Sequence, residues 1–269
     1  MCLAVVALAA HPEFDAVIAA NRDEFHARPA AAAHWWQERL GMRLLAGRDL
    51  EAGGTWLGIT ERGRWAFVTN VREPGRHDPG APSRGSLVPE LLCDLREPAD
   101  ALATTVARAV AFNGFNVVAG DGPRVAFGSN RTAAVLPLSA GIHGVSNAQL
   151  DTPWPKLARV KGGVSRWIAS GDADPRSLWE ILGDRAAAAD AELPATGLTL
   201  ERERLLSAPF IVSDTYGTRC STLIALGRDG SVHFAERSFD REGRISGEVA
   251  YRFDIATAAG RAQPVALGG

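Results

Sequence analysis

The sequence predicts an α+β protein whose sheets are built from antiparallel hairpins. Three observations predict this class. Short apolar runs come in pairs joined by turns too short for a crossover helix. Helical spacing is confined to two blocks, 86–111 and 154–182, and does not recur after every strand. Neither an internal repeat nor a linker divides the 269 residues, so one domain over 1–269 is expected.

The first apolar run, 2–10, passes through the turn His11-Pro12-Glu13-Phe14-Asp15 into a second at 16–20. The pair reads as a hairpin. Both runs are too apolar to have a wet face, so burial on both sides is expected. Asn21-Arg22-Asp23-Glu24 follows the second run and reads as a polar turn. Runs at 55–60 and 65–71 flank Glu61-Arg62-Gly63-Arg64 as a second hairpin, and the Pro- and Gly-rich stretch 72–83 reads as a loop. Helical spacing covers 86–94 and 99–111. A third hairpin pairs 115–120 with 124–129 across Asp121-Gly122-Pro123, and 133–146 reads as a looser strand region. Helices are predicted over 154–168 and 175–182. Runs at 223–226, 232–237 and 249–255 close the chain as a meander, and the tail from 256 is expected to be partly mobile.

Composition narrows the function classes. Hydrophobic residues make up 46% and charged residues 22%, with a net charge of −2, so the electrostatic footprint of a nucleic-acid binder is missing. No apolar stretch is long enough for a membrane span. Three cysteines, Cys2, Cys93 and Cys220, are too few and odd in number for a disulfide framework, which points to a reducing compartment and a cytoplasmic location. Dinucleotide, P-loop, nucleophile-elbow, zincin and paired Cys-x-x-Cys motifs are all missing, and the histidines lack ligand spacing, so no metal site is expected.

Cys2 is the residue with most chemical content. A small side chain after Met1 favours removal of the initiator, which leaves a cysteine with a free α-amine. That amine has a pKa of about 7.7–8.0, so thiol and amine form a nucleophile and base within one residue. If the first two runs pair, Asn21-Arg22-Asp23-Glu24 lies beside Cys2, where a cation lowers a thiol pKa and a carboxylate orients the ammonium. Asn70 and Asn147 each end an apolar segment, and asparagine amides serve as oxyanion donors in acyl transfer. Arg72 and Arg219 suit bidentate binding of a carboxylate or phosphate. Trp35, Trp36, Trp56 and Trp65 are candidates to line an apolar cleft, and no haem-ligand spacing singles out His26 or His143.

Cys2, Asn21-Arg22-Asp23-Glu24, Gly53-Gly54-Thr55-Trp56, Thr69-Asn70, Ser83-Arg84-Gly85, Asn113-Gly114-Phe115-Asn116, His143-Gly144-Val145-Ser146-Asn147, Trp154-Pro155-Lys156 and Tyr216-Gly217-Thr218-Arg219 occur in one order along the chain. Together they resemble the NRDE family, that of transport and Golgi organization protein 2. The resemblance implies an Ntn-hydrolase-like four-layer αββα sandwich, similar to the cysteine group of penicillin V acylases and bile salt hydrolases. It implies a catalytic set of Cys2, Asp23, Asn70, Asn147 and Arg219. Asn21, Arg22, Glu24, Trp56, Arg72 and Tyr216 are the expected ligand-binding residues. Arg22 departs from the hydrolase pattern by standing directly beside Asp23. Two readings follow: a hydrolase of an acyl-amide or acyl-thioester that requires no cofactor, and a carrier whose ligand is haem or an acyl-coenzyme A.

Overall fold

The computed structural model describes residues 3–37, 41–132 and 135–255, with the backbone of 265–266. Cys2, two residues of the predicted strand region at 133–146 and most of the predicted tail lie outside the described residues.

The first half of the chain gives β1 (Leu3–Leu8), β2 (Phe14–Phe25), β3 (Ala30–Trp35), β4 (Leu44–Asp49), β5 (Leu57–Thr60) and β6 (Trp65–Asn70), then α1 (Leu87–Cys93) and α2 (Pro98–Ala107). Strands β7 (Phe115–Asp121), β8 (Arg124–Ser129), β9 (Val135–Pro137) and β10 (Gly141–Val145) precede α3 (Pro155–Ser170), α4 (Leu178–Leu182) and α5 (Leu200–Leu205). The chain closes on β11 (Tyr216–Gly227), β12 (Ser231–Phe239), β13 (Ile245–Asp254) and the short β14 (Val265–Ala266), which pairs with β13.

Two seven-stranded antiparallel sheets result, ordered β10-β1-β2-β11-β12-β13-β14 and β3-β4-β5-β6-β7-β8-β9. Strand periodicity sorts the side chains into layers. Ala4, Val6, Ile18 and Ile224 of the first sheet meet Leu57, Ile59, Phe67 and Phe127 of the second in an inter-sheet core. Leu3, Val5, Val17 and Leu223 face the other way, onto Leu157, Val160 and Trp167 of α3 and Leu178 of α4. Phe115 and Val117 of the second sheet pack on Leu87, Leu91 and Leu102 of α1 and α2. The architecture is therefore the αββα sandwich, and burial on both sides explains why β1 and the start of β2 have no polar face.

The structure corrects several boundaries. Asn21-Arg22-Asp23-Glu24 is not a turn. It continues β2, because Leu3 pairs with Asn21 on one edge and β11 pairs with the rest on the other. The last meander begins at Tyr216, well before 223, for the same reason. Strands β3 and β4 lie in a stretch where none was predicted. Alanine, which fills most of β3, has little strand preference. Gly47 interrupts the pattern of β4 because the Trp56 ring occupies the space of a side chain: a Cβ there would lie 2.3 Å from the ring.

Candidate functional site

The site forms where β2, β6 and β10 end together. Asn21, Arg22 and Asp23 are buried within β2, and each finds partners from distant segments. The Asn21 amide donates to the carbonyls of Leu182 (2.8 Å) and Pro209 (2.9 Å), while its oxygen accepts from the Ser221 hydroxyl (2.5 Å). Asp23 Oδ1 accepts from the Thr218 hydroxyl at 2.7 Å, and Thr218 Oγ1 accepts in turn from the Ile211 N–H at 2.9 Å. Neighbours on a strand point to opposite faces. Arg22 therefore reaches toward the second sheet, its guanidinium 4.4 Å from the centre of the Trp56 ring, while Asp23 faces the helical side.

Two cavities, each about 410 Å³, open on these two faces, and Asn70 borders both. One is an apolar cleft, with Asp23, Asn70, Asn147 and Lys156 at its polar end and Leu198, Leu205, Leu206 and Tyr216 along its walls. The other is a polar chamber bordered by Arg22, Glu24, Arg28, Trp56, His77 and Arg84. Arg22 Nη2 lies 3.9 Å from Glu24, and its buried Nη1 has no hydrogen-bond partner among the described residues. The Gly53-Gly54 pair links Ala52 and Thr55 of the chamber lining and packs against Gly85, which also borders it. Gly53 has φ +76°, and a Cβ on Gly54 would lie 2.3 Å from the Gly85 carbonyl oxygen.

A clamp joins the ends of β6 and β10. Asn147 Nδ2 donates to the Asn70 carbonyl at 3.0 Å, and the Arg72 N–H donates to the Asn147 carbonyl at 2.8 Å. Asn147 Oδ1 accepts from Lys156 Nζ and from the Ser146 hydroxyl, both at 3.3 Å. Arg72 forms a 2.6 Å ion pair with Glu203 of α5, and its guanidinium stacks 4.5 Å from the Trp154 ring centre. The helix behind the leucine wall is thereby tied to the clamp.

Of the expected residues, Asp23, Asn70, Asn147, Arg72 and Tyr216 converge on the apolar cleft, and Arg22, Glu24 and Trp56 on the chamber. Asn21 borders neither cavity and cross-links β2 to the 182 and 209 segments. Arg219 is the extra residue of a β-bulge between Thr218 and Cys220. Its Nη1 donates to the carbonyls of Phe25, His26 and Arg28 at 3.0–3.2 Å, so it fixes the turn that follows β2. Burial, then the nearby Arg22 charge, lowers its pKa. Cys2 lies outside the described residues, but Leu3, bonded to it, is paired beside Asn21.

The tryptophans divide. Trp56 borders the chamber, whereas Trp65 is core and stacks on Phe67. His143 has Nδ1 3.3 Å from Asp151 and Nε2 2.8 Å from the Ser139 carbonyl, and His26 Nε2 lies 2.9 Å from the Ser213 carbonyl. Neither is among the residues that border the cleft or the chamber. Among the described residues no cluster of three or more His, Cys, Asp or Glu is placed to hold a metal ion, and no helix is long and apolar enough to cross a membrane. Lys156 and Glu203 escaped the sequence reading as site residues. The signal for Lys156 was the motif Trp154-Pro155-Lys156 in a chain with only two lysines.

The family model for Transport and Golgi organisation 2 matches residues 1–241. The chain belongs to this family. A Transport and Golgi organization protein 2 homolog from Bos taurus is 36% identical over 239 residues, which cover 82% of this chain and 86% of that protein. A homolog from Mus musculus is 34% identical over 243 residues with the same coverage. Among solved structures, a conjugated bile acid hydrolase from Clostridium perfringens superposes with a TM-score of 0.52 at 10% identity, covering 99% of this chain and 97% of that one. The Caenorhabditis elegans ortholog of N-acylethanolamine-hydrolyzing acid amidase gives 0.51 at 12% identity, covering 83% and 92%. At such identities the likeness is one of fold: this family member has the Ntn-hydrolase fold.

Proposed function

We propose that the protein is a cysteine hydrolase of the N-terminal nucleophile type, acting on a non-peptide amide or thioester. The convergence of Asp23, Asn70 and Asn147 on one cleft, at the sheet end where Leu3 leads back to Cys2, carries this reading. In it, Met1 is removed and the Cys2 sulfur attacks the substrate carbonyl carbon while the thiol proton moves to the Cys2 α-amine. The carbonyl oxygen becomes an oxyanion bonded by the amides of Asn70 and Asn147. Its collapse breaks the C–N or C–S bond, and the ammonium returns the proton to the leaving group. Water, deprotonated by the same amine, then hydrolyses the acyl-cysteine. Asp23 holds the ammonium, Arg219 fixes the turn beyond β2, and no cofactor is required. Two chambers meeting at Asn70 suit a two-part substrate, with an acyl chain against the leucine wall and a polar group beside Arg22.

Intact mass and hydrolysis test this together. The purified, untagged protein should lack the mass of Met1 and cleave members of an acyl-amide and acyl-thioester panel, and Cys2→Ala should abolish that cleavage. Retained Met1, or cleavage that survives Cys2→Ala, rejects the mechanism.

One observation favours a second reading. Arg72, Lys156 and Arg202 border the cleft together with Leu198, Leu205 and Leu206. Against the one carboxylate of that lining, Asp23, three cations beside an apolar wall suit an anionic amphiphile such as an acyl-coenzyme A or haem held by its propionates. A carrier of this kind would bind its ligand equally well after Cys2→Ala and release it chemically unchanged.

A further inference from the structure

Lys156 is placed at some energetic cost. It is 1% exposed, it is the second residue of α3, and it borders the apolar cleft. Burial disfavours an ammonium, and the positive end of a helix dipole disfavours it again. A lysine in such a place is held by polar partners. Here Nζ donates to Asn147 Oδ1, the oxygen of the amide whose nitrogen donates to the Asn70 carbonyl. The two contacts act in the same sense. Rotating the amide by half a turn would set its NH2 against the ammonium and its oxygen against the Asn70 carbonyl. The Ser146 hydroxyl, donating to the same Oδ1, adds to the preference.

We infer that Lys156 is a positioning residue: its ammonium locks the Asn147 amide so that Nδ2 faces Asn70 and the cleft as a polarised donor. This inference rests on the hydrolase reading. A cation bonded to the amide oxygen draws electron density from the nitrogen and strengthens its N–H as a donor, and chains of hydrogen bonds reinforce one another in this way. An asparagine held without that cation would be a weaker oxyanion donor and would spend part of its time reversed. The effect belongs to the transition state, in which the oxyanion exists, and not to substrate binding.

The test uses the full-length protein and the chromogenic amide hexanoyl p-nitroanilide, with wild type, Cys2→Ala, Lys156→Met, Asn147→Ala and the double variant Asn147→Ala/Lys156→Met. Lys156→Met should lower kcat about tenfold with KM within about twofold, since only transition-state binding is lost. In the Asn147→Ala background the same change should have almost no further effect, because the group it acts through is gone. Equal losses from Lys156→Met in both backgrounds, or an unchanged kcat, would overturn the inference while leaving Cys2-dependent hydrolysis intact. Hydrolysis that persists in Cys2→Ala would instead remove the hydrolase reading, and this inference with it. Should Lys156→Met fail to fold, Lys156→Gln removes the charge while keeping a polar side chain, and the same split between kcat and KM and the same cycle apply.

Discussion

Glu236 sits in the middle of the sandwich, 1% exposed, where its carboxylate accepts from the Ala33 N–H at 2.8 Å and the Thr222 hydroxyl at 3.0 Å. Burial pushes its pKa from 4.5 up to about 7, against the pull of those hydrogen bonds. The folded protein thus keeps a proton that the unfolded chain has released. The resulting stability is fully present below about pH 4.5 and is lost as pH rises to about 7, an amount of about 3 kcal/mol. Urea unfolding of wild type and Glu236→Gln should show wild type losing that amount relative to the variant across this window. A pH-independent difference would mean that the carboxyl does not titrate there. Nothing in the sequence marks Glu236, since a lone acid in an alternating strand reads as a wet position. Asp23, Asn70 and Asn147 were legible because each ends or extends an apolar run within a recognisable motif. Glu203 was not, because its importance lies in a partner 131 residues away, and Lys156 stood in the motif Trp154-Pro155-Lys156 without a role until the fold set it against Asn147.

Elements differ in the same way. Strands buried on both faces announced themselves as apolar runs, and β1, β6, β7 and β8 fell close to their predicted places. The second half of β2 did not, because Asn21, Arg22 and Asp23 read as a turn until the segments around 182, 209 and 218–221 supply partners to Asn21 and Asp23 and the Trp56 ring meets Arg22. Helix α5 was illegible for a different reason. Its sequence, LERERL, spans less than two turns and has no apolar stripe. Its place depends on Glu203, which pairs with Arg72 and accepts from the Thr196 N–H and hydroxyl. Both side chains of the ion pair are at most 10% exposed, so removing one partner strands a buried charge. Glu203→Ala should cost about 3–5 kcal/mol, the range for a broken buried pair. Amide exchange should accelerate first over 193–206, the segment that carries the leucine wall. A uniform acceleration across the chain would show that the pair does not hold this segment locally.

At the scale of the whole molecule, one strand belongs to everything. β2 lies inside the first sheet between β1 and β11, sends Ile18 into the inter-sheet core and Val17 onto the helical layer, and then delivers Arg22 and Asp23 to the two cavities. The site therefore has no independent scaffold: its geometry is the continuation of the strand that holds the layers together. Ile18 is fully buried, and truncation to alanine leaves a cavity that both sheets border, at a cost of about 2–5 kcal/mol. Because the two sheets share this core, they should lose it together. Ile18→Ala should shift a single urea transition to lower concentration with its slope unchanged, as a stability change without a change in exposed surface requires. A transition that splits in two would mean that each sheet, with its own helices, is stable without the other. The shared strand would then join two folding units, and Arg22 and Asp23, which face different sheets' layers, would be set by separate equilibria.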